Sequence, residues 1–123
     1  MIGYLTGKIL FAKPTKIILD VNGVGFSVNI SVNTYENIFN KEEISLFIHT
    51  HLKEDSISLY GFFTEAEKEM FELLISVSGI GPKIAQSILS GINVDDLKYA
   101  IETRNISRIT SIPGIGRKTA ERL

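Results

Sequence analysis

The sequence predicts a small closed β-barrel followed by an all-α region. Three observations predict this fold class. Residues 1–63 read as short β-rich segments separated by turn signals, residues 64–123 repeat their apolar side chains at helical spacing, and the second region contains one Gly-Ile-Gly turn twice. Almost no linker separates the two patterns. The predicted domains are therefore a barrel over residues 1–63 and a helical domain over residues 64–123.

The first region predicts three strands, one short helix and two further strands. The segments "IGYLTGKILFA" and "TKIILDV" are β-rich, and Asn22-Gly23 is a strong hairpin signal ahead of the third strand. The segment "SVNTYENIF" places helix-cap residues before a short amphipathic stretch, and "ISLFIHTHL" and "SISLYGFF" return to the strand pattern. Five strands with a helix between the third and the fourth fit an OB-fold barrel, although the strand count also fits other barrels.

The second region predicts five helices. Thr64 and Glu67 form a Thr-x-x-Glu capping box, which predicts a first helix over residues 64–77. Further helices are predicted over residues 82–89, 94–103 with Asn93 as cap, 106–111 with Asn105 as cap, and from residue 117 onward.

Composition excludes several classes of protein. The chain has 123 residues, of which 44% are hydrophobic, enough for one ordinary domain or two small ones. It has no cysteine, which excludes disulfides, thiolate chemistry and Cys-ligated zinc. Its apolar runs are too short to cross a bilayer, and its N-terminus has no secretory pattern, so a cytoplasmic protein is expected.

Charge is distributed unevenly along the chain. The formal net charge of −1 argues against a protein that coats nucleic acid non-specifically. From residue 104 to residue 123, however, the sequence has five basic residues and one acidic residue, a local net charge of +4. An anion-binding surface is therefore expected at the C-terminal end.

The Gly-Ile-Gly turn recurs at an offset of 35 residues. The offset aligns Gly79-Ile80-Gly81 with Gly114-Ile115-Gly116, and it also aligns Lys83 with Lys118 and Ala85 with Ala120. An internal repeat of this length indicates a duplicated supersecondary unit, here a helix, a turn and a second helix.

Each position of the repeated turn has a physical role. The first glycine can take the positive φ that ends one helix, and the isoleucine anchors the turn. The second glycine leaves the N–H groups of the next helix bare, with the positive end of the helix dipole behind them, which suits a phosphate. The predicted DNA-backbone contacts are Gly79, Ile80, Gly81, Lys83, Gly114, Ile115, Gly116, Arg117 and Lys118.

Two interpretations of this repeat compete. The first is a paired helix-hairpin-helix that grips a nucleic-acid backbone without reading its sequence. The second is a pair of tight helix turns with incidental lysines, and the duplication favours the first. A dinucleotide fingerprint or P-loop fits poorly, because the motif lacks the third glycine and the GK[ST] ending and follows a helix.

Other candidate sites are weaker. His49 and His51 lie two apart on one strand face near Glu54 and Asp55. This spacing allows a metal site, but the interpretation as two solvent-side histidines is favoured. The pair Glu54-Asp55 on its own reads as ordinary turn chemistry. No catalytic set or nucleotide-binding loop emerges, so no catalytic residue, metal or cofactor is predicted. Most aromatic side chains of the first region could stack on bases but are expected in the barrel core.

The combination of motifs resembles the RuvA family over the entire chain. The segments that carry the resemblance are "MIGYLTG", "VNGVGF", "KEDSISLYGF", "GIGPKIAQSILSG" and "PGIGRKTAERL". The family implies a homotetramer that holds a four-way (Holliday) DNA junction open and nearly planar for branch migration, in homologous recombination and DNA repair. It also implies that Glu54 and Asp55 form an acidic pin at the junction centre, which replaces the interpretation of that pair as ordinary turn chemistry.

The resemblance also implies partners. In the family the motor is a separate ATPase, RuvB, recruited by a third helical domain after a flexible linker, and RuvC is the resolvase partner. This sequence stops at Leu123, inside the helix after the second hairpin, and the motor-contacting segment is not among its residues, as expected of a fragment or of a sequence given without its remainder. We therefore expect junction binding without productive motor coupling, no enzymatic activity and no membrane contact.

Two other functions stay open at this stage. One is a hairpin-containing repair nuclease or glycosylase, which would require a catalytic carboxylate or lysine in a pocket beside the hairpin. The other is a protein-docking helical module on a barrel, which predicts no salt-sensitive DNA binding.

Overall fold

The computed structural model describes residues 1–123, which divide into two compact units, Met1–Lys68 and Glu69–Leu123. The division falls within a helix, and the domain boundary between residues 63 and 64 stays a prediction. None of the helices is long and apolar enough to cross a membrane.

The first unit is built on five strands and one short helix. The strands are β1 (Tyr4–Lys13), β2 (Lys16–Val21), β3 (Val24–Ile30), β4 (Glu43–Lys53) and β5 (Ser56–Phe62), with α1 (Val32–Ile38) between β3 and β4. They close into a barrel in the order β1-β2-β3-β5-β4, in which β3 and β5 run parallel and every other pair is antiparallel. The predicted OB-like five-stranded barrel is confirmed.

The Asn22-Gly23 turn joins β2 to β3 as the sequence predicts. Both residues have positive φ, 52° and 92°, which is the requirement of a type I′ hairpin turn. The Gly23 N–H donates to Oδ1 of Asp20 at 2.8 Å. The turn sets the register that pairs Val21 with Val24.

The barrel interior is aliphatic, which corrects the expectation that most aromatic side chains fill it. Its buried cluster consists only of leucine, isoleucine and valine side chains, and Phe26 and Phe63 pack at its margin. Tyr60 and Phe62 are buried, but they alternate along β5 with the interior residue Leu59, so they belong to the opposite face of the strand. Tyr4 and Phe11 are exposed. The interior of a small barrel is filled by side chains, which here are branched aliphatic ones.

Helix α1 begins at a capped serine. The Ser31 hydroxyl accepts from the Thr34 N–H at 3.1 Å, and both residues are buried. The Thr34 hydroxyl in turn donates to the Glu67 carboxylate at 3.4 Å.

That contact changes the predicted capping box. Thr64 does cap the next helix, since its Oγ1 accepts from the Glu67 N–H at 3.2 Å. The Glu67 carboxylate, however, is buried against Thr34 instead of reaching back to the Thr64 N–H. Only one of the two bonds of the capping box is formed, that from the Glu67 N–H to Thr64. The Glu67 carboxylate does not form the second bond because it accepts from the Thr34 hydroxyl.

The helical region contains α2 (Glu65–Ile75), α3 (Pro82–Gly91), α4 (Val94–Glu102), α5 (Ile106–Thr110) and α6 (Arg117–Arg122). All five predicted helices are confirmed, with ends that differ from the prediction by two residues at most. The side chains of Asn93 and Asn105 cap α4 and α5 as expected, accepting from Asp96 and Arg108 N–H groups. Helix α2 ends before residue 77 because residues 76 and 77 close a tighter turn, with N–H bonds to Leu73 and Leu74 carbonyls.

Candidate nucleic-acid interface

The two Gly-Ile-Gly turns have the same backbone conformation. Gly79 has φ of 96° and Gly114 has φ of 94°, a region that side chains other than glycine rarely adopt. The Ile80 N–H donates to the Val77 carbonyl at 3.1 Å, and the equivalent Ile115 bond to Ile112 measures 3.2 Å. The 35-residue repeat of the sequence is therefore a repeat of structure.

The anchoring residues of the repeat are buried in both copies. Ile80 and Ile115 are 4% and 6% exposed, as expected for side chains that hold the turn to the interior. Ala85 and Ala120 are also buried, and each donates its N–H to the carbonyl of the second glycine, Gly81 or Gly116, at 2.9 Å. These bonds start α3 and α6 at matching points.

The second glycine of each turn is not required by the fold. Gly81 and Gly116 are the N-caps of α3 and α6, with extended backbone at φ −91° and −86° that any residue can adopt. A Cβ at either position would meet no atom within 4 Å. Neither cap has a side-chain hydrogen bond, so the first-turn N–H groups remain available to an outside acceptor.

The two hairpins pack on each other with approximate two-fold symmetry. A Cβ on Gly79 would lie 3.3 Å from Oγ1 of Thr119, and a Cβ on Gly114 would lie 3.4 Å from Cγ2 of Ile84. Ile84 and Thr119 are themselves 35 residues apart, so each turn contacts the equivalent residue of the other hairpin. The two candidate phosphate contacts are therefore fixed relative to each other within the second unit.

The basic side chains of the two hairpins differ in number. Lys83 is exposed at the start of α3, whereas Arg117 and Lys118 are both exposed at the start of α6. Arg117 shares its charge with Glu121 through an exposed ion pair at 3.4 Å, which is worth little in water. With Arg122 included, α6 carries three basic side chains and one acidic one, a net charge of +2, whereas α3 carries only Lys83, a net charge of +1.

Arg122 makes a contact between the two hairpins that sequence reasoning missed. Its Nη1 donates to the Ser78 carbonyl at 3.1 Å, which ties α6 to the first turn. The equivalent position in the first hairpin is Ser87, so the repeat itself gives no signal for this bond.

The acidic pair forms the two-residue turn between β4 and β5. Lys53 pairs with Ser56, and Glu54 and Asp55 lie exposed between them. Neither has positive φ, unlike Asn22 and Gly23 in the other tight hairpin. The turn places both carboxylates at the tip of the hairpin. These two residues belong to the barrel unit, and the Gly-Ile-Gly turns to the helical unit.

The two histidines lie on one face of β4 as predicted. The ring centroids of His49 and His51 are 6.3 Å apart, and both side chains are half-buried. No group of three or more His, Cys, Asp or Glu side chains is placed to hold a metal ion.

Comparison with known proteins agrees with this architecture in both regions. The family model described as "RuvA N terminal domain" matches residues 1–61, and the model described as "SAM-like Helix-hairpin-helix tandem" matches residues 71–123. A protein of Geobacter sulfurreducens is 58% identical over 124 residues, covering all of this chain. The chain belongs to the RuvA family. Proteins of Geobacter metallireducens and Syntrophotalea carbinolica are 56% and 45% identical and also cover it completely.

These RuvA relatives are longer than this chain. Each is named "Holliday junction branch migration complex subunit RuvA", and the chain spans 62% of the length of each. The RuvA family model covers the barrel with the acidic turn, and the tandem model covers both Gly-Ile-Gly turns.

Proposed function

We propose that this chain binds four-way DNA junctions by their structure and independently of their sequence, and holds them open for branch migration. The observation that carries the proposal is the duplicated turn, in which two glycine N-caps that the fold does not require leave helix N–H groups bare beside exposed basic side chains. The names of the relatives, which refer to the Holliday junction, support it.

In this proposal the backbone of the duplex arms is held by Gly79, Ile80, Gly81 and Lys83 in the first hairpin and by Gly114, Ile115, Gly116, Arg117 and Lys118 in the second. Backbone N–H groups and lysine or arginine side chains contact phosphates without reading bases. No helix of the second unit is proposed to enter the major groove. The expected affinity is therefore similar for junctions of different sequence.

Glu54 and Asp55 act at the junction centre in this proposal. Carboxylates repel nearby phosphates, which keeps the strands from collapsing onto the crossover. Attraction by the hairpins and repulsion by the acidic turn together favour a junction over a plain duplex, since a duplex has no open centre to receive the turn.

The assembly belongs to the same proposal. The working form is a homotetramer in the bacterial cytoplasm, with a RuvC resolvase and a RuvB motor ATPase as partners, and the motor is recruited through a third domain that is not among residues 1–123. Division into a barrel domain at residues 1–63 and a DNA-binding domain at residues 64–123 is part of it. The relatives are named as a subunit of a branch migration complex, which supports a role beside a motor partner and disfavours the nuclease or glycosylase alternative.

The experiment that tests the proposal is a binding titration of a labelled four-way junction and a linear duplex of equal length, each at two salt concentrations. We expect tighter binding of the junction at both concentrations and weaker binding of both DNAs at the higher one. Equal affinities for junction and duplex would contradict the proposal. Cleavage of the junction in the presence of Mg²⁺ would support the nuclease alternative instead.

A further inference from the structure

The hairpin of β4 and β5 extends beyond the end of the barrel. On β4 the last residue bonded to the N-terminal segment that precedes β1 is Thr50, whose Oγ1 accepts from the Ile2 N–H at 3.0 Å and donates to the Ile2 carbonyl at 2.7 Å. On β5 the last pair with β3 is Leu59 with Val28. The segments 51–53 and 56–58 pair only with each other, which gives a two-stranded projection of about 10 Å before the turn.

This projection bears an exposed apolar pair. Leu52 and Ile57 are directly opposite each other, and they are 55% and 68% exposed. Both continue the rows of alternate residues that face the barrel interior, in which Thr50 and Leu59 are the last buried members. Beyond the barrel end there is no interior for them to enter, so the folded unit keeps two large aliphatic side chains in water.

The charges around the apolar pair restrict what can bind there. The pair is followed by Lys53 and Ser56 and then by the carboxylates of Glu54 and Asp55, so the tip of the hairpin carries a net charge of −1. Phosphates are repelled from this tip, whereas the faces of nucleobases are uncharged. Apolar side chains that enter DNA separate stacked bases and contact their faces.

We propose that the apolar pair Leu52 and Ile57 contacts the unstacked nucleobases at the branch point of the junction. This inference rests on the proposed function, and it assigns the acidic turn and the apolar pair different targets: the turn repels phosphates, and the pair receives the bases. A stable protein partner is a poorer occupant, because a specific interface buries about 800 Å² on each side, far more than two side chains supply.

The test uses junctions that carry 2-aminopurine, a base whose fluorescence rises when it is unstacked, either at the branch point or in the middle of an arm. We compare the wild-type chain with the double variant Leu52→Thr and Ile57→Thr, which removes apolar surface and keeps residues that suit a strand. At saturating protein, the wild type raises the branch-point signal and leaves the arm signal unchanged. In the double variant the rise in fluorescence at the branch point is abolished, while the junction is still bound through the two Gly-Ile-Gly turns.

The matched control is Leu10→Thr, because Leu10 is 63% exposed on β1 of the same unit and lies outside the projection. This variant keeps the full branch-point signal.

An unchanged signal in the Leu52 and Ile57 double variant would overturn the inference. Loss of self-association in the double variant, measured by sedimentation velocity, would also overturn the inference. It would show that the apolar pair contacts a second copy of the chain and not nucleobases. If the wild type binds junction and duplex equally well, the proposed function itself is overturned. That result is measured as binding affinity with DNA that carries no 2-aminopurine, so it is distinguishable from failure of the present inference.

Discussion

Gly79 lies against Thr119, with only 3.3 Å between the position of a Cβ on Gly79 and Oγ1 of Thr119. The same relationship recurs between Gly114 and Ile84, so the two hairpins hold each other by their turns. The positive φ of both glycines and this close packing make the turns sensitive to any side chain.

Gly79→Ala and Gly114→Ala are each expected to lower the free energy of unfolding by about 1–2 kcal/mol, because alanine is strained at positive φ. Urea denaturation followed by circular dichroism measures the decrease. Gly91→Ala is the control, because Gly91 has no positive φ and a Cβ there would meet no atom within 4 Å. A decrease in the control as large as that at Gly79 would contradict this explanation.

Gly81→Ala and Gly116→Ala are expected to weaken junction binding by about tenfold, equivalent to about 1.4 kcal/mol, with a smaller effect on unfolding. The fold leaves open space at both positions, so the added methyl group obstructs only a ligand that approaches the bare N–H groups. Fluorescence anisotropy with a labelled junction measures the affinity. Unchanged affinity in both variants would remove these caps from the interface.

Lys118→Glu and Lys83→Glu are each expected to weaken junction binding and to reduce the slope of log K against log salt, by about 0.9 for each phosphate that the protein no longer neutralises. Lys118 lies beside exposed Arg117, so its replacement disturbs the more basic hairpin. Lys16→Glu makes the same charge change on an exposed position of β2 and serves as control. If Lys16→Glu reduced the salt slope as much as Lys83→Glu or Lys118→Glu does, the salt dependence would be set by the net charge of the protein and not by these two lysines.

Glu54→Lys combined with Asp55→Lys is expected to leave junction binding as tight as in the wild type or tighter, and to reduce the preference for junction over duplex. The two carboxylates are exposed, so the change acts on the approaching DNA and not on the fold. The measurement is the ratio of the two dissociation constants. Collapse of junction binding in this variant would show that the acidic turn does not act by repulsion.

Glu67 predicts a pH dependence of stability. Burial raises the pKa of its carboxyl above the ordinary 4.5, and hydrogen bonds from Thr34 and Ser31 offset part of that rise. Because the pKa of Glu67 is higher in the folded protein than in the unfolded chain, its protonation stabilises the fold. This stabilisation is fully present below pH 4.5 and is lost as the pH rises through the pKa of the folded state. We therefore expect Glu67→Gln to be more stable than the wild type at pH 7 and to lose that advantage at pH 4.

Urea titrations of both proteins at several pH values measure this difference. Glu69→Gln, at an exposed position of the same helix outside its first turn, is the control, and its stability relative to the wild type is expected to change less between pH 4 and pH 7 than that of Glu67→Gln. An advantage of Glu67→Gln that is the same at pH 4 and pH 7 would show that packing, and not ionisation, explains it.

The sequence predicted the order of all elements because their signals are local. Asn22-Gly23 specifies a hairpin through its own backbone preferences, and Asn93 and Asn105 cap helices through bonds to residues three positions away. The repeat of the Gly-Ile-Gly turn is also visible in the chain, since it depends on glycine at positive φ and on isoleucine at the buried position.

What the sequence could not predict depends on distant partners. The Glu67 carboxylate contacts Thr34, 33 residues away, and Arg122 contacts the Ser78 carbonyl, 44 residues away. The aromatic residues of β5 were misplaced because burial can occur on either face of a strand, and periodicity does not say which face closes the barrel.

The sequence by itself therefore determined a five-stranded barrel, the helices after it and a duplicated turn with bare helix starts. Only the tertiary structure decided that the two turns brace each other through Thr119 and Ile84, and that Leu52 and Ile57 lie beyond the barrel end in water. The physical reason is that backbone preferences and capping act within a few residues, whereas burial depends on which distant segments close around a side chain.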